Sequence, residues 1–454
     1  FIYNKYKMNN LEGSKSHIVI QPSNHPSGAR ISYKDGNPVI SFVIGEQQRY
    51  LIGSSLRFTG NITYYSAPDG DFGTPIEFTD DINVSPKLST YSILDQIVIS
   101  SQKTNNVIEH VRHYSRYLAS FLPVTHSSHE MNSALGNTAN ITTNVNANQI
   151  QLLGNSNGSS ATNREFRGNS FCLSLPTGFL SSGQEIGLSG EGWGIGGCQI
   201  SLHISPDAAV FNASKTQFPN VFYQLTDVQL IAELRNPSVD ELSRLMSQKS
   251  AVMEYNAISS YFSQIASSNA ILNFRLGLSR VLAGFINFIP SQYINNLDFD
   301  SFQTTPLIND LATSEIAPIK QVIFTKGGER LPLMWNLDAN VKDNANSHIS
   351  DPQIVRNYMN SFHKFVDIDS TMQSPLTNNL VGFSNQADFV DAGLQFGLGF
   401  TYDDLTGNGI DMRTENFGLQ MDTGLTTGLS HGVFLYIKSK QTLVMNANGL
   451  QVIS

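Results

Sequence analysis

Cys198-Gln199-Ile200-Ser201-Leu202-His203-Ile204 alternates apolar and polar side chains without a break. Successive side chains of an extended strand point to opposite faces, so this spacing predicts a strand with one buried face and one polar face. The same signal recurs on both sides of it. Upstream, residues 38–45 (PVISFVIG), 56–65 (LRFTGNITYY) and 93–99 (ILDQIVI) are rich in β-branched and aromatic types, which suit a pleated, half-buried surface. Downstream, residues 223–234 (YQLTDVQLIAEL) read as a long strand. Leu225 is out of phase there with Val228, Leu230 and Ala232, so a bulge is expected at Thr226-Asp227.

Helical spacing is scarce. Val107, Val111, Tyr114, Leu118 and Phe121 recur at intervals of 4, 3, 4 and 3, which predicts an amphipathic helix over 105–122. A second helix starts at Ser238, with Glu241 completing a capping box and Leu242, Leu245 and Met246 following. A third spans 350–365, with Asp351 as cap, Pro352 in the first turn and Ile354, Tyr358, Phe362 and Phe365 as its stripe. Residues 124–168 hold Asn, Ser, Thr, Gly and Ala with few large apolar side chains and read as a long loop thrown out from a rigid frame.

After Pro237 the pattern starts again. The helix is followed by strands near 252–265 and 271–289, and a Gly327-Gly328 hairpin joins 319–325 to 329–335. Further strands fall at 393–402, 416–422, 432–437 and 442–453, the last broken by an Asn446-Ala447-Asn448-Gly449 turn. Each half, of ~220 residues, carries roughly eight strands and one or two short helices, the pattern of two packed antiparallel sheets with long excursions between strands. The expected fold is therefore all-β: two tandem eight-stranded antiparallel jelly rolls with a few short helices in the inter-strand loops. The expected divisions are an N-terminal arm at 1–16, a first jelly roll at 17–237 and a second at 238–454.

Composition narrows the function. Of 454 residues only 14% are charged, against a hydrophobic share of 40%; soluble domains average ~25% charged. The surface must be built from neutral Asn, Ser and Thr, which excludes long coiled coils and charge-rich disorder. The formal net charge of −9 excludes a broad basic face for nucleic acid, although Lys5, Lys7 and Lys15 cluster near the start. The longest apolar runs fall far short of the ~18 residues that span a bilayer. No signal peptide is visible, and a start at Phe1 rather than Met leaves room for a processed leading segment.

Chemical motifs are few. Asp404, Thr406, Asn408, Gly409 and Glu415 follow a calcium-loop spacing except for Thr at the third position. Asp411 stands where that loop wants an apolar residue, and a strand rather than a helix precedes it, so a polar turn is the competing reading. Gly192-Trp193-Gly194-Ile195-Gly196-Gly197 satisfies G-x-G-x-x-G, but a dinucleotide site needs a helix after it. A strand follows here, which predicts a flexible glycine-rich loop. His110 and His113 fall one turn apart on the expected 105–122 helix beside Glu109, with His126, His129 and Glu130 following, yet zinc requires three or four converging ligands. Cys172 and Cys198 are too few for a disulfide framework; two reduced, buried thiols are expected, with one disulfide between them as the alternative. Sequons at Asn61, Asn83, Asn140, Asn157 and Asn212 are expected by chance in a chain this rich in Asn and Ser. No catalytic residues, cofactor or resident metal are expected.

Several of these segments resemble double jelly-roll major capsid proteins of small eukaryotic double-stranded DNA viruses, the polinton-like virus and virophage type. LSTYSILDQIVISS (88–101) followed by NNVIEHVRHYSRY (105–117) is similar to that family's strand, turn and amphipathic helix. SFCLSLPTGFLSSG (170–183) resembles its strand entering the upper loops, and FYQLTDVQLIAEL (222–234) the strand closing the first barrel. In the second half ILNFRLGLSRVLAGFINFIP (271–290) and QVIFTKGGERLPL (321–333) look like the matching strands. The resemblance implies a non-enzymatic structural protein of the virion. It would form homotrimeric, pseudo-hexagonal capsomers that tile an icosahedral shell around double-stranded DNA, assembled inside the host cell. Its implied partners are neighbouring capsomers and minor capsid or penton proteins, with no sequence-specific nucleic-acid binding; contact with a membrane is not specified. Residues 1–16 would act as an arm gripping a neighbouring trimer or an underlying layer. Two rival readings are a jelly-roll host-recognition or carbohydrate-binding protein, for which Trp193 and Trp335 are the available stacking indoles, and a jelly-roll glycoside hydrolase or lyase with paired carboxylates.

Overall fold

The structure, a computed structural model, describes residues 14–66, 82–85, 88–125, 170–213, 215–216, 219–299, 301–302, 307–309, 316–331, 337–338, 396–399, 409–423 and 430–454. The first half contributes β1 (Lys15–Ile20), β2 (Val39–Ile44), β3 (Tyr50–Ser66), β4 (Ile82–Val84), β5 (Leu94–Ser101), β6 (Val107–Val111), β7 (Ser170–Ser174), β8 (Glu185–Gly187), β9 (Cys198–Ile204), β10 (Phe211–Ala213) and β11 (Val221–Arg235). The second contributes β12 (Ser250–Ile265), β13 (Asn269–Phe274), β14 (Val281–Pro290), β15 (Leu307–Asn309), β16 (Ile316–Lys326), β17 (Glu329–Leu331), β18 (Leu337–Asp338), β19 (Phe396–Gly399), β20 (Phe417–Thr423), β21 (His431–Asn446) and β22 (Gly449–Ile453). Three α-helices are described: α1 (Tyr114–Thr125), α2 (Asp207–Val210) and α3 (Val239–Ser247).

The two halves repeat one topology. The first forms sheets in the order β1-β11-β3-β7 and β2-β9-β5-β6; the second forms β12-β21-β14-β19 and β13-β20-β16-β15. In each half the opening strand pairs with the last long one, which pairs in turn with the third, and these ladders are antiparallel. The second strand pairs with β9 or its counterpart β20, each followed by the middle strand, β5 or β16. Among the described residues no strand from 15–235 pairs with one from 250–453. Short strands such as β8, β17, β18 and β22 attach to these paths, so the sheets hold more than the eight strands expected per half.

Much of the sequence pattern is realised directly. β9 buries alternate residues, with Cys198, Ile200, Leu202 and Ile204 inward. The bulge in β11 falls between Thr226 and Gln229, where Asp227 adopts φ 51°. Ser238 and Glu241 form the complete capping box of α3. Gly327 and Gly328, both at positive φ, turn β16 into β17. β1 includes Lys15 and Ser16, which pair with Arg235 and Leu234.

Three expectations fail. The helix expected over 105–122 is a strand, β6, followed by a turn through His113 at φ 51°, and α1 begins only at Tyr114. The 4-3-4-3 spacing joined a strand and a helix that are covered by both halves and so carry apolar residues on more than one side. Residues Tyr114 to Ser120 of α1 are all buried, including Ser115, Arg116 and Ser120, so this stretch has no solvent face. The single strand read over 271–289 is two, β13 and β14, whereas 432–437 and the first part of 442–453 belong to one continuous strand, β21. The helix expected at 350–365 and nearly all of the 124–168 loop lie outside the described residues.

Buried side chains of both halves form one continuous cluster. Tyr114, Tyr117, Phe285 and Tyr436 are among its most deeply buried large residues and lie where the halves meet.

Candidate functional site

An edge strand leaves one row of backbone groups unpaired. β6 is the edge of its sheet, and the second half covers it with side chains. The Tyr255 hydroxyl of β12 donates to Ile108 O at 2.8 Å, and the backbone N–H of Arg112 donates to Ser260 Oγ at 2.9 Å. Tyr436 of β21 donates its hydroxyl to His113 O at 3.1 Å. The Asn106 side-chain amide donates to Leu450 O, and that of Asn287 reaches Ser120 Oγ on α1. The seam is thus an edge of the first sheet system set against the opening strand of the second.

Glu109 is its polar centre. It projects from β6 and is 3% exposed. Its Oε1 accepts from Gly178 N at 3.1 Å and from Ile258 N at 2.7 Å, and its Oε2 accepts from Phe179 N at 2.8 Å. One carboxylate therefore holds a loop of the first half and a strand of the second. Burial pushes its pKa up, and the amide donors pull the other way. Gly178 lies so close to the Asn256 carbonyl that a Cβ would collide with it. Only glycine fits there.

Aromatic packing completes the seam. Phe179 meets Tyr255 edge-on at 5.1 Å, and Tyr117 of α1 lies 5.6 Å from Tyr436. His113 packs against Phe434 at 5.0 Å, and burial followed by Arg116 pushes its imidazole pKa down to about 4. The Arg116 guanidinium stacks over Phe434 and Phe302, a buried cation–π arrangement. Such packing fixes an angle between two bodies.

Among the described residues the motif side chains do not assemble a chemical site. His110 sits on β6 and bonds Gln96 Oε1 at 3.1 Å, whereas His113 is in the following turn, so they do not share a helix face. His126, His129 and Glu130 lie outside the described residues, among which no group of three His, Cys, Asp or Glu could hold a metal. Asp404, Thr406 and Asn408 also lie outside them. Glu415 is 3.7 Å from Lys326 Nζ, Gly409 backs onto the Val281 carbonyl, and Asp411 pairs with Arg413 at 2.6 Å, which lowers its pKa to about 2.

The Gly192–Gly197 loop is packed rather than flexible. Gly192 abuts Lys249 O, Gly194 abuts Gly187 and Ser189, and Trp193 is buried beside Tyr50 at 5.2 Å. The glycines serve close backbone approach, and strand β9 follows them. Trp335 lies outside the described residues. Cys172 and Cys198 are both free; burial pushes the Cys198 thiol up to about 12. Of the sequons, Asn61 donates its amide to Asp227 Oδ2 at 3.2 Å; Asn83 and Asn212 are register partners in the β4–β10 ladder; Asn140 and Asn157 lie outside the described residues.

No protein-family model matches the sequence, and no curated protein does. Solved structures match along the whole chain. The PBCV-1 virus capsid superposes with a TM-score of 0.54 at 10% identity, covering 100% of this chain and 98% of the other. The Sputnik virophage structure gives 0.53 at 11% identity over 100% and 92%. The Faustovirus major capsid protein gives 0.54 at 8% identity over 98% and 93%. The fold is a double jelly roll. The double jelly roll accounts for the repeated strand order and for a seam that joins two like bodies edge to face. In the sequence Glu109, the residue that ties them, stands out only as a neighbour of two histidines. The one available signal was a charged residue among the apolar positions of 107–111.

Proposed function

We propose that this protein is the major structural protein of a viral capsid, acting by geometry rather than by catalysis. The observation that carries the reading is end-to-end agreement in fold with the PBCV-1 virus capsid and the Faustovirus major capsid protein, with nearly all of each chain covered. The first jelly roll is proposed to end at 237 and the second to take 238–454; the arm expected at 1–16 overlaps β1, which takes in Lys15 and Ser16. Support also comes from the seam. An edge meeting a face is a heterologous contact, and heterologous contacts repeated between copies form a ring when their rotation closes and a filament when it does not. If the second jelly roll's free edge meets β1 of the next chain as β6 meets β12 within this one, three chains close with six jelly rolls in a pseudo-hexagonal outline. Such capsomers would tile an icosahedral shell around double-stranded DNA in the virion, with neighbouring capsomers and minor penton proteins as partners. A chain with only 14% charged residues suits contacts that bury little charge.

Light scattering coupled to gel filtration tests the assembly. Three chains of 49.9 kDa predict a particle of ~150 kDa, or larger closed assemblies. A monomer at every concentration and salt would overturn the proposal.

A further inference from the structure

Helix α3 has nine residues and buries none of them. A helix this short is not stable alone in water. Its N-terminus is fixed by polar contacts. Arg235 donates to Glu241 Oε1 at 2.9 Å and to Glu185 Oε2 at 2.6 Å, and stacks over the Tyr50 ring. The rest of the helix carries Val239, Leu242 and Met246 on one stripe, at intervals of three and four. Val239 is 81% exposed and Met246 55%. Leu242 between them is half-buried, so the open part of the stripe is its two ends.

The chain itself brings apolar residues to that place. Asn236, two residues before the Ser238 cap, donates its backbone N–H to Ser14 O at 3.1 Å and its side-chain amide to Ser14 Oγ at 2.8 Å. Whatever precedes Ser14 therefore departs beside the start of α3. The preceding sequence, FIYNKYKMNNLEG, carries Phe1, Ile2, Tyr3, Tyr6, Met8 and Leu11, with Lys5 and Lys7 opposite in charge to the exposed Asp240 of the helix. Thirteen extended residues reach ~40 Å, and nine helical residues measure only ~13 Å, so reach is ample.

We propose that residues 1–13 cover the Val239–Met246 stripe of α3 in the same chain. This contact stands independently of the capsid reading. It would tie the start of the first jelly roll to the connection between the two.

The test uses the full chain. Hydrogen–deuterium exchange is compared with a version lacking residues 1–13. The α3 amides from Leu242 to Ser247 should exchange at least ten-fold faster without the segment, while those of β12 and β21 stay unchanged; equal exchange in α3 would overturn the proposal. Met246→Asp and Val239→Asp, at exposed positions where folding is not at stake, should speed tryptic cleavage at Lys5 and Lys7 ten-fold. Equal cleavage counts against the proposal even if the truncated chain does not fold. Carbodiimide coupling in a mixture of isotopically heavy and light chains identifies the donor. Lys5 or Lys7 joined to Asp240 within one isotope class supports the proposal, and joins between classes would assign the stripe to a second copy and overturn it.

Discussion

Replacing Glu109 by Gln keeps the side chain's shape and removes its charge at the centre of the seam. Three backbone donors converge on the carboxylate, from Gly178, Phe179 and Ile258. Hydrogen bonds to a charged group contribute ~1.5–3 kcal/mol each, and an orphaned buried donor costs ~1–3 kcal/mol. The amide nitrogen of Gln must face at least one of these N–H groups. The less costly orientation keeps the oxygen on Gly178 and Ile258 and sets the nitrogen against Phe179 N–H, so one bond is lost and one donor is orphaned. Relief from burying a charge offsets part of this. The net expectation is a loss of roughly 2–3 kcal/mol, or ~4–12 °C in melting temperature at ~2–4 °C per kcal/mol. Scanning calorimetry measures it. Glu254→Gln is the control: that carboxylate is half exposed and pairs with Arg280 and Lys440, so its loss should cost less than ~1 kcal/mol. A Glu109→Gln protein melting within about one degree of the parent, or no lower than the Glu254→Gln protein, would refute the assignment of Glu109 as the tie between the halves.

Three further outcomes are expected. Gly178→Ala drives a Cβ into the Asn256 carbonyl and should cost ~1–3 kcal/mol or more, whereas Gly45→Ala, with no atom nearer than 4.0 Å, should melt within a degree or two of the parent by calorimetry. His431 is buried with neither ring nitrogen bonded among the described residues, and burial lowers its pKa to about 4. The unfolded chain then binds the extra proton between pH ~6.5 and ~4, so this residue's contribution to stability is lost as pH falls through that window. Burial raises the pKa of Glu109 and of Asp207, which act in the opposite sense, so the effect is read as a difference: His431→Phe should gain ~2–3 kcal/mol relative to the parent between pH 7.5 and 4.5, and parallel denaturation curves would contradict it. Ser238→Ala removes the cap of α3 and should cost ~1 kcal/mol, with faster amide exchange confined to 239–243.

Strand periodicity made most of this fold legible. A run such as 198–204 has one core face and one polar face, and local physics dictates both. The capping box at Ser238 and the turns at Gly327 and Asn446 were legible for the same reason: each is closed within a few residues. The seam was not. The 105–122 stretch is covered from two sides, so the contrast between apolar and polar faces that periodicity depends on is absent, and strand and helix merged into one apparent helix. The polar side of α1 was expected to meet water, yet Ser120 and Arg116 meet Asn287 and Phe434 of the other half. Glycine spacing misled in a related way. Residues 192–197 looked flexible because glycine permits motion, but here it permits contact. The calcium-like spacing at 404–415 is satisfied at its described end by Lys326, a partner distant in sequence, and by Arg413, two residues along from Asp411.

Electron microscopy of the purified protein, with two-dimensional averages of single particles, tests the proposed tiling of two locked jelly rolls. Expected are threefold particles with a pseudo-hexagonal outline, two jelly-roll densities per chain at the angle set by the Glu109 seam, and sheets or shells made from them. Isolated chains whose two halves average to variable angles, or twofold dimers without that outline, would contradict it.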